Sequence, residues 1–298
     1  LTACGIPTIG RIAKQTLKNF PQRHLGLLPI DEHPAASALI GQVESAISQA
    51  VDIDAIIEIA GKAGKIEIST SCAKSKKLDK AVLGLKIGFL RDSAFQFYYE
   101  DNLDALRATG AELVEVSALT DTSLPDIHGL YIGGGFPETN AEALASNVSF
   151  KKSLREAVAK GLPVYAECGG LMYLSRSLAV DDKEFPMVGV FPMATVLKRK
   201  PQGLGYIEVE VVGENPFYPV GAIIKGHEFH YSAVLTENKD NPVYAFKVLR
   251  GYGMDGTHDG ICVNNAIGSY LHVHCLGVRT WADAMAQRAV EYRSGLQR

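Results

Sequence analysis

From residue 85 onward, short apolar runs alternate with segments whose apolar positions recur every three or four residues. The run at 85–90 is continuous, as in a strand buried on both faces of a parallel sheet. Residues 102–109 follow a helical pattern, and Gly110 stands where helices commonly stop. Strands are predicted at 113–116 and at 130–132, the second running straight into Gly133, Gly134 and Gly135. One helix is predicted over 140–160, closed by Gly161, and then a strand over 162–166. Glu167-Cys168-Gly169-Gly170 follows at once and leads into a helix over 171–178. This succession predicts an α/β fold, a parallel sheet with helices on both faces. Further on the pattern turns β-like, at 207–212, 222–224, 245–249 and 267–271. Residues 92–99 read as a helix start with aromatic core contacts.

The first 65 residues read as the tail of another α/β unit. A short strand at 5–10 and a loop and strand at 22–29 precede two helices, at 33–51 and 52–63. Their apolar stripes are Leu39, Ile40, Val43 and Ile47, then Ile53, Ile56, Ile57 and Ala60. Residues 69–80 are polar and read as a linker. The expected organisation is a first domain at 1–70, a linker at 71–83 and a second domain at 84–298.

Composition narrows the function classes. At 298 residues the chain suits one large or two medium domains, and 47% hydrophobic residues supply a sizeable core. Net charge is −3 with acids and bases mixed, which argues against a nucleic-acid partner. No run approaches the ~18–20 apolar residues of a membrane span, and no signal segment opens the chain. Residue 1 is Leu1, and 1–7 reads as the interior of a longer chain. The cysteines, at 4, 72, 168, 262 and 275, are odd in number and form no CxxC pair. Neither a disulfide framework nor a zinc ribbon is indicated, and a reducing cytoplasm is the natural compartment. Cys4, Cys72, Cys262 and Cys275 read as small buried apolar residues.

Cys168 reads otherwise. A nucleophile among small residues between a strand and a helix follows the elbow logic of G-x-S-x-G, with Ala166 in the first place. A tight turn exposes the side chain at the sheet edge, where only small neighbours such as Gly169 and Gly170 fit. The helix N-terminus favours thiolate, and the Gly169 amide is placed to bind an oxyanion. The Gly133–Gly135 triplet is either a flexible turn or a second source of oxyanion amides. It is no phosphate loop, because no Gly-Lys-Ser/Thr follows. A thiolate also needs a base, and His272 follows the last apolar strand; triads assemble in space, so its separation from Cys168 is no obstacle.

Four ordered motifs carry a resemblance. They are residues 131–138 (Tyr-Ile-Gly-Gly-Gly-Phe-Pro-Glu), 166–174 (Ala-Glu-Cys-Gly-Gly-Leu-Met-Tyr-Leu), 226–232 (Gly-His-Glu-Phe-His-Tyr-Ser) and 269–272 (Ser-Tyr-Leu-His). Together they resemble the cobyrinate a,c-diamide synthase family, of the cobyric-acid-synthase type of class I glutamine amidotransferases. The resemblance covers about residue 85 to the end. Residues 6–10, 23–27 and 32–33 are similar to the end of that family's ATP-binding synthetase domain. It implies a flavodoxin-like amidotransferase domain behind a C-terminal remnant of a P-loop-type α/β domain. It implies that L-glutamine is hydrolysed through a Cys168 thioester with His272 as acid and base. Gly134, Gly135 and Gly169 then serve as oxyanion donors, with His227, His230 and Tyr231 near the substrate. Ammonia passes to a synthetase site where ATP and Mg activate a tetrapyrrole carboxylate, and residues 92–99 wall that side. The resemblance also allows a homodimer.

Two departures stand out. Many class I amidotransferases place a Glu two residues after the catalytic His; here that position is His274, and cobyrinate-type members also lack the Glu, so the third triad member is open. No G-x-x-x-x-G-K-S/T occurs in the chain, so a longer protein or a partner chain is expected to supply the P-loop half. His227-Glu228-Phe229-His230 is one residue short of the zinc motif H-E-x-x-H and follows an apolar, strand-like run, so no metal is expected. The resemblance suggests a loop there. Other acceptors within the family are siroheme, nickel sirohydrochlorin and hydrogenobyrinate. Readings from other classes are a regulatory or binding protein on a degenerate amidotransferase fold and an elbow-cysteine hydrolase or redox protein.

Overall fold

In the strand Gly129–Ile132, Leu130 and Ile132 belong to one hydrophobic core and Tyr131 to another, on opposite faces of the sheet. The strand Val164–Glu167 repeats this, with Val164 and Ala166 on the first side and Tyr165 on the second. Burial on both faces makes these segments read as continuous apolar runs. The computed structural model describes residues 2–13, 22–23, 26–27, 36–64, 82–235 and 242–296. The chain divides into two units, Leu1–Lys76 and Lys77–Arg298. Of the expected linker at 71–83, residues 71–81 lie outside the described residues, and so does Cys72.

The second unit is built on a nine-stranded sheet. Its parallel half runs Ala266–Ser269, Val164–Glu167, Gly129–Ile132, Lys86–Leu90, Glu112–Val116. The other half is antiparallel: His258–Val263 pairs with Ala266–Ser269, followed outward by Tyr244–Arg250, Gly203–Val211 and Ile223–His230 at the edge. Helices cover both faces of the parallel half. Phe150 and Leu154 of Val148–Ala159, with Leu171 and Met172 of Gly169–Leu174, fill the first core. Leu103 and Leu106 of Glu100–Ala108, with Trp281 and Met285 of Trp281–Leu296, fill the second. Fully burying one such large apolar side chain is worth about 1.5–3 kcal/mol. A four-stranded sheet lies beside these, in the order Lys183–Pro186, Ser177–Val180, Ala194–Leu197, Ser232–Leu235.

Several expectations are corrected. The helix over 140–160 is two helices, Ala141–Ser146 and Val148–Ala159. Asn147 breaks it: its side chain accepts from Phe150 N and donates to Ala118 O and Asp121 O, a local alternative to helical pairing. The helix over 171–178 is Gly169–Leu174, ended by Ser175, whose hydroxyl donates to Met172 O and Ser177 O. Residues 92–99 start a helix only at their end, where Tyr99 is the N-cap of Glu100–Ala108; before it, Phe95–Phe97 is a short strand paired with Gly134–Gly135. The strand at 222–224 runs on through His230, so the expected loop at 227–230 is strand.

In the first unit, the two expected helices are Ala36–Ala50 and Ile53–Gly61, the second capped by Asp52, whose Oδ1 accepts from Ala55 N at 2.9 Å. The strand expected at 5–10 is only a bridge between Gly10 and Val51. Residues 22–29 give two short paired strands, Gln22–Arg23 and Gly26–Leu27; the rest of that segment lies outside the described residues. Cys4 is exposed and Cys262 half-buried, against the expectation, while Cys275 is buried.

Candidate active site

Cys168 stands at the C-terminal tip of a central parallel strand, directly before the helix Gly169–Leu174. Its backbone is forced to φ 46° and ψ −95°, a sparsely populated region that costs an L-residue on the order of 1–3 kcal/mol. The surroundings hold it there: Cys168 N donates to Ser269 O at 2.8 Å, and Met172 N donates to Cys168 O at 3.0 Å. Gly170 is needed because a Cβ there would lie 2.6 Å from Ile132 O, so the elbow helix could not approach the neighbouring strand. Cys168 is 6% exposed, and its sulfur lies 4.0 Å from Phe229 O.

The glycine triplet is a packed junction rather than a flexible turn. Gly133 N donates to the Tyr98 hydroxyl at 2.9 Å, so that amide is already engaged. Gly134 and Gly135 pair with Phe95–Phe97, and a Cβ on Gly135 would lie 2.1 Å from Ala94 O. A Cβ on Gly169 would lie 3.0 Å from Gly135 N, and one on Gly134 would lie 2.7 Å from His272 Cε1. Gly134, Gly135, Gly169, Cys168 and His272 are therefore brought to one point.

His272 follows the strand Ala266–Ser269 and is 7% exposed. Its backbone bridges to His227, with His272 N donating to His227 O at 2.8 Å and His227 N to His272 O at 3.2 Å. Nδ1 of the ring stands 3.6 Å from Glu167 Oε2, leaving the other ring nitrogen for Cys168. Burial by itself disfavours the imidazolium, but hydrogen bonds and charge from Cys168 and Glu167 outweigh it and push the His272 pKa up to about 10. Glu167 is 2% exposed and fully engaged: Oε2 accepts from the Tyr131 hydroxyl at 2.8 Å and Oε1 from Val273 N at 3.0 Å. Sequence reasoning did not single out Glu167, although it adjoins the nucleophile.

The remaining candidates divide. His227 stacks on His272, and its Nδ1 lies 3.3 Å from the Tyr99 hydroxyl. His230 is three residues further along the strand and so on its opposite face, stacked 3.6 Å from the Tyr270 ring. Its Nδ1 donates to Ser232 O at 2.8 Å, and its Nε2 lies 3.5 Å from Glu228 Oε2. Tyr231 is half-buried and its carbonyl accepts from Lys198 N at 2.9 Å. His227 and His230 thus do not converge as metal ligands. Among the described residues, no group of three or more His, Cys, Asp or Glu is placed to hold a metal ion. No helix among them is long and apolar enough to cross a membrane.

The parallel sheet thus carries the elbow Cys168 at one strand tip and the His272 imidazole just past the neighbouring strand. The chain belongs to the family of CobB/CobQ-like glutamine amidotransferase domains, whose pattern it matches over residues 86–280. It is 40% identical over 287 residues to a cobyrinate a,c-diamide synthase of Archaeoglobus fulgidus, covering 96% of this chain and 61% of that protein. The corresponding protein of Methanothermobacter thermautotrophicus is 38% identical over 288 residues, covering 97% of this chain and 62% of that protein. The chain thus spans about three-fifths of the length of these relatives. PurLQS from Thermotoga maritima shares the fold, with TM-score 0.51 at 14% identity, covering 72% of this chain and 99% of that chain.

Proposed function

We propose that the second unit hydrolyses glutamine and that its ammonia serves ATP-dependent amidation of tetrapyrrole side-chain carboxylates of the cobyrinate type. The observation that carries the reading is the strained, buried Cys168 with the His272 ring beside it and the Gly135 amide close to Gly169. In this reading the Cys168 thiolate attacks the amide carbon of glutamine. The amides of Gly169 and of Gly134 or Gly135 hold the oxyanion; removing one such donor typically costs ~3–4 kcal/mol. The His272 imidazolium gives its proton to the departing nitrogen, the C–N bond breaks, and ammonia leaves a thioester. Water, giving a proton to His272, then attacks the thioester; glutamate leaves and the thiolate is restored.

The similarity to cobyrinate a,c-diamide synthases supports a cobyrinate-type acceptor. No phosphate-loop motif for ATP and Mg occurs in the sequence. In this reading that chemistry belongs to the part of the relatives' length beyond the 61% spanned here. A reducing cytoplasm keeps the Cys168 thiolate competent.

Glutamate release by the chain, with Cys168→Ser as control, tests the glutaminase step. Labelling of Cys168 by the glutamine analogue 6-diazo-5-oxonorleucine is the expected parallel result. Equal glutamate release by both forms would end the reading. For the acceptor, the full-length protein with glutamine, ATP and Mg is given cobyrinate, hydrogenobyrinate, nickel sirohydrochlorin and siroheme in turn. Amidation of cobyrinate is expected; amidation of only another macrocycle would move the assignment within the family.

A further inference from the structure

The position two residues after His272, where a carboxylate orients the base in many class I amidotransferases, is His274, and its side chain faces elsewhere. Its Nε2 stands 3.5 Å from Asp101 Oδ2 and its ring centroid 4.6 Å from that of Tyr99. The carboxylate that does face the His272 ring comes from the residue directly before the nucleophile. In a regular strand, consecutive side chains point to opposite faces. At this strand tip the chain turns at Cys168, φ 46°, and the side chains of residues 167 and 168 address the two nitrogens of one imidazole.

We propose that Glu167 is the positioning residue for His272, with Tyr131 and Asn102 as its supports, replacing a carboxylate downstream of the histidine. The proposal rests on the reading of Cys168 and His272 given above. Each oxygen of Glu167 accepts one fixed donor, the Tyr131 hydroxyl on Oε2 and Val273 N on Oε1, so the carboxylate cannot rotate away from the ring. Asn102 is fully buried and grips the segment just past His272, donating to Val273 O at 2.9 Å and accepting from Cys275 N at 2.7 Å. Its amide also reaches the Tyr131 hydroxyl at 3.4 Å. An imidazole held at Nδ1 by a fixed carboxylate presents Nε2 to the nucleophile in one tautomer and orientation. The groups facing His272 are Cys168 and Glu167 from the central strand and His227 from the edge strand, with Tyr99 behind His227.

The test compares wild type, Glu167→Gln, Glu167→Asp, Tyr131→Phe and His274→Ala as the full chain. Two readouts are taken: inactivation by 6-diazo-5-oxonorleucine, and the pH profile of Cys168 alkylation by iodoacetamide. Glu167→Gln is expected to slow inactivation by roughly 100-fold or more and to move the alkaline limb of alkylation to lower pH. Glu167→Asp restores part of both, Tyr131→Phe moves the limb the same way by less, and His274→Ala stays within about twofold of wild type. A Glu167→Gln enzyme with the wild-type rate and limb overturns the proposal, and so does an equal loss in His274→Ala. If Glu167→Gln fails to fold by circular dichroism, Tyr131→Phe decides: an unmoved limb overturns the proposal. Failure of the wild type to label at Cys168 is a separate result, and it strikes the glutaminase reading itself.

Discussion

The imidazoles of His227 and His272 lie stacked, their centroids 4.8 Å apart and their planes 11° from parallel. Two rings in such contact resist carrying charge together. Burial, and then the charge of His272, hold His227 below the ordinary histidine range, against the pull of Glu167. A permanent charge at this position should therefore destabilise the His272 imidazolium. His227→Arg is expected to move the alkaline limb of Cys168 alkylation to lower pH by roughly one unit, and His227→Phe, which keeps the stack, by much less. The measurement is the alkylation rate from pH 6 to 11. An unmoved limb in His227→Arg would show that the rings are not coupled.

The His272 ring should itself titrate far from a free histidine. With its pKa pushed up to about 10, the imidazolium persists through neutral pH and is lost as pH rises through that value. The acid that protonates the leaving nitrogen is then present at physiological pH and fades on the alkaline side. Nitrogen NMR on histidine-labelled protein reads this directly. In Cys168→Ala, burial is opposed by Glu167 alone, so the ring should deprotonate at lower pH. A wild-type ring already neutral at pH 8 would contradict the expectation.

Asp259 gives a stability prediction with the opposite chemistry. It is fully buried, and burial raises its pKa to about 6 against the amides of Gly260 and Tyr270 and the Ser269 hydroxyl. The folded pKa lies above the ~3.9 of an unfolded aspartate. The folded state thus keeps the proton longer, and this group's contribution to stability falls as pH rises from about 4 to about 6. Asp259→Asn should flatten that slope in urea unfolding. At pH 7 it should cost about 1–3 kcal/mol, because Ser269 and Leu271 lose an acceptor just before the His272 turn.

Gly226 is the tightest approach to the base. A Cβ there would lie 2.0 Å from the His272 carbonyl oxygen, on the bridge that seats the ring. Gly226→Ala is expected to leave the sheet folded and to lower kcat for glutamine hydrolysis about 100-fold, as misplacements near 1 Å do. Wild-type kcat in this variant would show that the bridge does not set the ring.

Cys168 was legible from sequence because its signals are local: an apolar run, small residues and a helix, all within ten positions. His272 and the glycine triplet were legible through motif order. Glu167 lay in plain view but was passed over, because neighbours on a strand normally face apart and only the turn at Cys168 brings 167 and 168 together. His227 and His230 looked like one group, yet their odd spacing on a strand sends them to opposite faces. The helix break at Asn147 depends on the distant carbonyls of Ala118 and Asp121, which no window of sequence contains. The order of the antiparallel half is likewise a matter of long-range pairing.

That half of the sheet has a mechanical consequence. The strand Ile223–His230 is the outermost of the nine, paired on one side with Gly203–Val211. It carries the two-bond bridge to His272. A load applied to this outer strand should reach the imidazole through that bridge and the sulfur through the Phe229 carbonyl, 4.0 Å from it. Because Ile224 of the same strand belongs to the second core, displacing the strand should couple that core's packing to the distance between base and nucleophile.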